Sequence, residues 1–172
     1  MTKILIAAPL AAALVAKGYE TLTPVQDAVL AEGVSGRDLL VSAQTGSGKT
    51  VAFGMAIADE LLRGADKLLY ADTPMALCIA PTRELALQVA RELDWLYANT
   101  GAKIATCVGG MDYRTEKRAL ERGAHIVVGT PGRLRDHIER RSLDLSGLRA
   151  CVLDEADEML DLGFREDLEF IL

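Results

Sequence analysis

Short apolar runs alternate along the chain with longer segments in which apolar residues recur every three or four positions. The runs Asp38 to Ser42, Ala76 to Ala80, Lys103 to Val108, His125 to Gly129 and Ala150 to Leu153 are rich in Val, Ile, Leu or Cys and are strand-length, so they read as strands. A near-continuous apolar run marks a strand covered on both faces, and strands separated by helix-length segments are the pattern of a parallel sheet with crossover helices. The expected class is α/β, a mostly parallel central sheet flanked by helices on both faces. A helix from Arg83 to Asn99 places Leu85, Val89, Leu93 and Leu96 on one stripe and leaves Arg91, Glu92 and Asp94 for water, with Trp95 packing at its side. Thr130 followed by Pro131 predicts an N-cap and a first-turn proline, and Asp112 predicts the cap of a helix that Gly123 ends. The stretch from Arg63 to Pro74 has the weakest periodicity and reads as a surface connection.

With 172 residues, half of them hydrophobic, the chain can bury one substantial core, and one compact domain is expected. The N-terminus superficially resembles a secretory leader, with Lys3 ahead of an apolar run from Ile4 to Ala16. Leu10 and Leu14 recur at helical spacing, however, Pro9 suits a first turn and Gly18 suits a C-cap, so a helix is the expectation. No stretch reaches the roughly 18 uncharged apolar residues of a membrane span, and no membrane partner is expected. Cys78, Cys107 and Cys151 all fall in the strand-like runs without any CxxC spacing; they read as buried core thiols, and a reducing compartment such as the cytoplasm fits them.

The formal net charge of -6 argues against a protein that grips nucleic acid by charge alone. The charge is uneven. Residues 111–141 carry eight basic and five acidic side chains, a net of +3, whereas residues 142–172 carry nine acidic and two basic, a net of -7. A phosphate-binding edge beside a metal site and two solvated helix faces both fit that pattern.

After the first expected strand comes AQTGSGKT, Ala43 to Thr50, the P-loop pattern with Ala43 in place of its first glycine, set between a strand and a helix. Gly46 and Gly48 let backbone N–H groups turn toward phosphate oxygens, and the following helix adds the positive end of its dipole. Lys49 would reach the β- and γ-phosphates of ATP, and Thr50 would give a hydroxyl to Mg²⁺. Thr45, Gly46, Ser47, Gly48, Lys49 and Thr50 are therefore candidate cofactor-binding residues. The run Ala150 to Leu153 delivers Asp154 and Glu155 at a strand end. Asp154 is the second candidate magnesium ligand, and Glu155 is the candidate base that orients and deprotonates the attacking water. An acidic helix start explains the pair equally well when it is taken without the P-loop.

VLDEAD, Val152 to Asp157, carries the letters of a known family, and the chain resembles the DEAD-box ATP-dependent RNA helicases. GYETLTPVQ, Gly18 to Gln26, resembles their Q motif, in which Gln26 would read the adenine edge and Tyr19 would stack on its face. PTRELA (Pro81 to Ala86), the Gly109 and Gly110 pair, and TPGR (Thr130 to Arg133) resemble the RNA-contacting motifs Ia, GG and Ib. The resemblance implies a RecA-like P-loop NTPase domain over residues 1–172 that binds ATP, Mg²⁺ and the backbone of single-stranded RNA without regard to sequence. The implied RNA-binding residues are Pro81, Thr82, Arg83, Gly110, Thr130, Gly132 and Arg133. Thr82 and Thr130 at helix starts can grip phosphate and the arginines can add charge-assisted bonds, but helix capping beside surface arginines accounts for each taken singly. RNA over DNA rests on the resemblance alone.

The pattern departs from the family in three places. The isolated upstream aromatic would fall on Met1, and Leu22 stands where proline is common; both bear on nucleotide affinity. The chain also stops before the SAT motif and the second RecA-like domain, which leaves Asp157 without its expected interdomain coupling partner. An arginine finger is worth about 10³ to 10⁵ in rate in related systems, so these residues alone are expected to bind nucleotide weakly and turn it over barely. The rival expectations are an RNA-binding or partner-docking module without turnover, and a DNA-translocating helicase.

Overall fold

The structure is a computed structural model that describes residues 8–18, 26, 48–62, 67–69, 71–110 and 112–172, the side chain of Asp59 apart. The strand expected over Asp38 to Ser42, Tyr19, and Thr45, Gly46 and Ser47 lie outside the described residues. The chain forms two compact units, Met1–Leu68 with Glu92–Ala102, and Leu69–Arg91 with Lys103–Leu172.

In the first unit, α1 (Ala8–Ala16) buries Leu10, Ala13 and Leu14, as their spacing predicts, and Gly18 closes it with a positive φ of 89°. Helix α2 (Lys49–Ala56) is followed by the short α3 (Ala58–Leu62). Their buried side chains are Val51, Ala52, Met55, Ala58, Leu61 and Leu62. The fully buried Tyr97 donates its hydroxyl hydrogen to the Gly54 carbonyl at 2.6 Å, and an added Cβ on Gly54 would lie 2.7 Å from Leu96, so α2 and residues 96–97 pack without room for a methyl group.

The second unit is built on four parallel strands, β1 (Ala76–Ile79), β2 (Ile104–Cys107), β3 (Ile126–Gly129) and β4 (Ala150–Leu153), in the order β2-β3-β1-β4. The central strands β1 and β3 are buried at every position, and this is why their sequences are continuous apolar runs. Leu77, Ile79, Ala105, Cys107 and Val127 face one core with Leu120, Leu134, Leu143, Met159, Leu168 and Ile171. Four helices carry or flank those residues: α5 (Tyr113–Glu121), α6 (Pro131–Glu139), α7 (Ala156–Asp161) and α8 (Arg165–Ile171).

Helix α4 (Arg83–Leu96) ends three residues before its expected end, and a 3₁₀ turn over Ala98–Thr100 follows it. Thr100 ends the helical path because its hydroxyl bonds back to the Tyr97 carbonyl at 2.6 Å and accepts from the Ala102 N–H at 3.1 Å. Val89, Leu93 and Leu96 are buried as expected, whereas Leu85 is half-buried and Ala86 takes the inward position beside it. Trp95 is half-buried with the Lys17 ammonium 5.6 Å from its ring centre, a packing role. Asp112 caps α5 by accepting from the Arg114 N–H at 3.1 Å. The described part of the 63–74 connection has neither helix nor strand, as expected.

The expectation of three buried thiols needs correction. Cys78 and Cys107 are buried, and burial pushes both thiols far above their ordinary range. Cys151 is exposed. It lies on β4, the last strand in the sheet order, whose residues alternate between half-buried and exposed, so an apolar strand sequence here does not bring full cover. No helix among the described residues is long and apolar enough to cross a membrane.

Candidate nucleotide and nucleic-acid sites

Lys49 and Thr50 are the first two residues of α2, so the P-loop pattern does run into a helix. Gly48 precedes them with φ 80° and ψ 24°, a left-handed conformation that glycine adopts without strain. Gly48 itself has no side chain to cap this helix start, and a helix start carries open N–H groups and the positive end of its dipole, as an anion site requires. The Gln26 amide is fully buried and donates to the Gly48 carbonyl at 3.2 Å. The structure therefore brings Gln26, Gly48, Lys49 and Thr50 together within the first unit.

In the second unit, Asp154 leaves the end of β4 with its N–H bonded to the Ile79 carbonyl at 2.8 Å, and its carboxylate is buried. Glu155 follows in the left-handed conformation, φ 55° and ψ 50°, as the N-cap of α7. A glutamate lacks the freedom that glycine has there, and such backbone strain in a non-glycine residue clusters at working sites. The half-buried Glu155 side chain makes no capping bond to the helix it precedes. Asp157 lies in the first turn of α7 and is exposed.

The three other strands end together. Ile79 and Gly129 are partners in register, the Ala80 N–H bonds to the Gly129 carbonyl at 3.0 Å, and the Thr130 N–H bonds to the Cys107 carbonyl at 3.1 Å. Pro81 to Arg83 and Thr130 to Arg133 therefore leave the sheet beside the turn that follows β2. In that turn Gly109 and Gly110 have φ of 73° and 68°. Their missing side chains leave the space that the arginines use: a Cβ on Gly110 would lie 2.7 Å from Arg83 Nη1, and one on Gly109 3.7 Å from Arg133 Nη2. Thr82 caps α4, its hydroxyl accepting from the Leu85 N–H at 3.2 Å. Thr130 is the N-cap of α6 by position, with φ -93° and ψ 152°, but its hydroxyl makes no capping bond. Pro131 occupies the first turn as expected and is buried, while Gly132 is exposed, and a methyl group added to it would meet nothing within 4 Å.

Glu116 is the residue that inspection of the motifs misses. It is 2% exposed, and one carboxylate oxygen accepts from the Val108 N–H at 2.9 Å while the other accepts from His137 Nε2 at 2.9 Å and lies 3.4 Å from Arg133 Nη1. His137 is fully buried and stacks on Tyr113 with ring centres 4.4 Å apart. The legible signal is periodicity: Glu116 shares the inward stripe of α5 with Leu120, where a charged residue must have buried partners.

Charge segregation along the sequence is partly cancelled in space. Arg135 on α6 bonds to Asp167 on α8 at 3.2 Å and to Glu139 at 3.0 Å, so part of the basic segment serves the acidic one. Arg83 and Arg133 instead face the glycine turn.

The model of the DEAD/DEAH box helicase family matches residues 23–172, most of the chain. The chain belongs to the DEAD/DEAH box helicase family. Within that family it is 49% identical to the ATP-dependent RNA helicase DeaD of Escherichia coli K12 over 96% of its own length and 25% of that protein. It is 46% identical to the DEAD-box ATP-dependent RNA helicase 7 of Arabidopsis thaliana over 100% of its length and 26% of that protein. It thus spans about a quarter of these curated relatives. The crystal structure of a DEAD box protein from the hyperthermophile Methanococcus jannaschii superposes with a TM-score of 0.83 at 37% identity, over 98% of this chain and 45% of the other. The all-parallel sheet with its covering helices is accordingly the RecA-like fold of a DEAD-box domain.

Proposed function

We propose that the protein bearing this chain is an ATP-dependent RNA helicase and that residues 1–172, with the Q motif at 18–26, form its first RecA-like domain, working with a second. The observation that carries this reading is the strand-end arrangement of the second unit. Two arginines converge on a glycine turn at the ends of β1, β2 and β3, while β4 ends in a buried aspartate and a strained glutamate. The first corner offers donors and positive charge to a sugar-phosphate backbone, the kind of contact that positions a strand without reading its bases.

On the nucleotide side, Lys49 would hold the terminal phosphates, Gln26 and Tyr19 the adenine, and Thr45 to Thr50 the phosphate chain. The Thr50 hydroxyl and the Asp154 carboxylate are hard oxygen donors of the kind magnesium takes, and the burial of Asp154 favours a cationic partner, so the donor chemistry fits that ion. Magnesium held by donors of this kind would neutralise charge on the phosphate oxygens. Glu155 would orient and deprotonate the attacking water, and Asp157 would relay the nucleotide state to the partner domain. A soluble cytoplasmic setting suits the two buried thiols.

The test is ATP turnover by the full-length protein with and without single-stranded RNA or DNA of one sequence. Stimulation by RNA and not by DNA is expected, and Lys49→Ala should abolish it. Equal stimulation by DNA would replace the substrate class, and RNA binding without any turnover would make the protein a clamp.

A further inference from the structure

We propose that Glu116 is the positioning residue of the RNA interface, a buried carboxylate that fixes Arg133 and the glycine turn relative to each other before RNA arrives. The proposal rests on the reading of Arg133 as a phosphate contact. Glu116 bonds the N–H of Val108, the residue that leads into Gly109 and Gly110, and with its other oxygen it holds the Arg133 guanidinium. Arg133 comes from α6 and Val108 from the end of β2, so a single carboxylate joins two elements that the motifs treat as separate.

The carboxylate is itself held from behind. A carboxylate only accepts, so His137 Nε2–H donates to Glu116, while His137 Nδ1 shares a hydrogen with Ser142 Oγ at 2.8 Å and Ser142 Oγ shares another with the Tyr113 hydroxyl at 2.6 Å. Tyr113 completes the enclosure by stacking on His137 and presenting its face to the guanidiniums of Arg133 and Arg140, 5.9 and 4.6 Å from its centre. Cys107 Sγ brings a third potential metal donor within 4.8 Å of Glu116 and His137, but the Arg133 cation already stands 3.4 Å from the carboxylate and supplies the positive charge that a metal would bring. The corner is built to hold an arginine.

Holding it matters because a free arginine must be ordered when it meets phosphate. Immobilising one long side chain costs about 0.5–1.5 kcal/mol, which corresponds to about 2- to 12-fold in affinity. Glu116→Gln separates this role from simple stability. The glutamine oxygen can still accept from Val108, and its NH₂ can donate to His137 Nε2 once the ring proton moves to Nδ1 opposite Ser142. The guanidinium has donors only and faces that NH₂, so Arg133 alone loses its partner.

The experiment measures RNA affinity against salt concentration for the full-length protein, with Glu116→Gln, Arg133→Ala and the double variant. Glu116→Gln should weaken binding about 3- to 10-fold with an unchanged salt slope, because the arginine charge remains. Arg133→Ala should weaken it and lower the slope by about 0.7. The double variant should be no weaker than Arg133→Ala. Wild-type or tighter affinity for Glu116→Gln beside a weakened Arg133→Ala, or losses that multiply in the double variant, overturns the positioning role alone. An Arg133→Ala protein with unchanged affinity and slope overturns the RNA contact and the positioning role together. One readout needs no variant: ¹⁵N relaxation at Arg133 Nε in the RNA-free wild type should give an order parameter near the ~0.85 of rigid backbone, and a value below about 0.6 overturns the proposal.

Discussion

Within the second unit, two ends of one parallel sheet do opposite things. The end formed by β2 and β3 is saturated with bonds: Glu116, His137, Ser142, Tyr113 and Arg133 satisfy one another, and the left-handed residues are glycines. The end of β4 places a buried aspartate beside a glutamate held in a left-handed conformation, and an exposed cysteine and leucine lie next to it on the strand. Pre-ordered donors suit a partner that is only gripped. Backbone strain and a buried carboxylate suit a place where charge must be handled during a reaction. On the proposed function, the first corner would bind and the second would carry the chemistry.

The largest expected effect tests that division directly. Glu155→Gln removes the proposed general base while keeping shape, and kcat for RNA-stimulated ATP hydrolysis should fall by about 10² to 10⁴ with RNA affinity within a few-fold of wild type. Arg133→Ala should do the reverse, lowering RNA affinity and leaving kcat at saturating RNA nearly intact. Steady-state kinetics over an RNA titration separates the two, and a shared phenotype would abolish the distinction between the corners.

Stability gives the next test. A Cβ on Gly129 would lie 2.6 Å from the Cys107 carbonyl oxygen and 2.7 Å from Leu134, between two elements that cannot part without disturbing the glycine turn. Gly129→Ala should cost about 1–3 kcal/mol in a denaturant titration. Gly132→Ala, which meets nothing within 4 Å, should leave stability within about 0.5 kcal/mol. If Gly132→Ala still weakens RNA binding, close backbone approach by the ligand is the reason; if both variants melt like wild type, the corner is less tightly packed than its geometry requires.

How much of this is legible from residues alone? Strand cores are, because burial on both faces leaves continuous apolar runs, and β1, β2, β3 and β4 fall within or on the expected bounds. The helix starting at Lys49 and the strand end at Asp154 and Glu155 are also legible, since the P-loop pattern is set before a helix and an apolar strand-length run leads into the two acids. The exposure of Cys151 is not, because strand composition does not report whether the layer above is complete. Glu116 is hidden for a different reason, because a buried ion cluster has no fixed spacing: Val108 lies 8 residues from it and His137 21, on different elements, and only folding makes them neighbours. The roles assigned to Tyr19 and to Thr45, Gly46 and Ser47 fall outside the described residues.

The smallest effect concerns strain. Among the described residues two non-glycines have positive φ, Glu155 at 55° and Arg141 at 61°. Arg141 is exposed just beyond α6, its N–H bonded to the Ile138 carbonyl, a place where helices commonly end in the left-handed conformation. Replacing either residue by glycine relieves a cost of about 1 kcal/mol and loses part of that gain to unfolded-chain entropy, so each variant should gain a few tenths to about 1 kcal/mol in stability. The two should then diverge. Arg141→Gly should keep turnover, because Arg141 belongs to none of the proposed nucleotide-binding or catalytic residues, whereas Glu155→Gly should gain stability and lose turnover. That opposite movement is the signature of strain retained for function. If Glu155→Gly is less stable than wild type while Arg141→Gly gains, the glutamate side chain itself stabilises the turn, and the contrast between a relaxed binding corner and a strained catalytic one fails at the residue on which it depends.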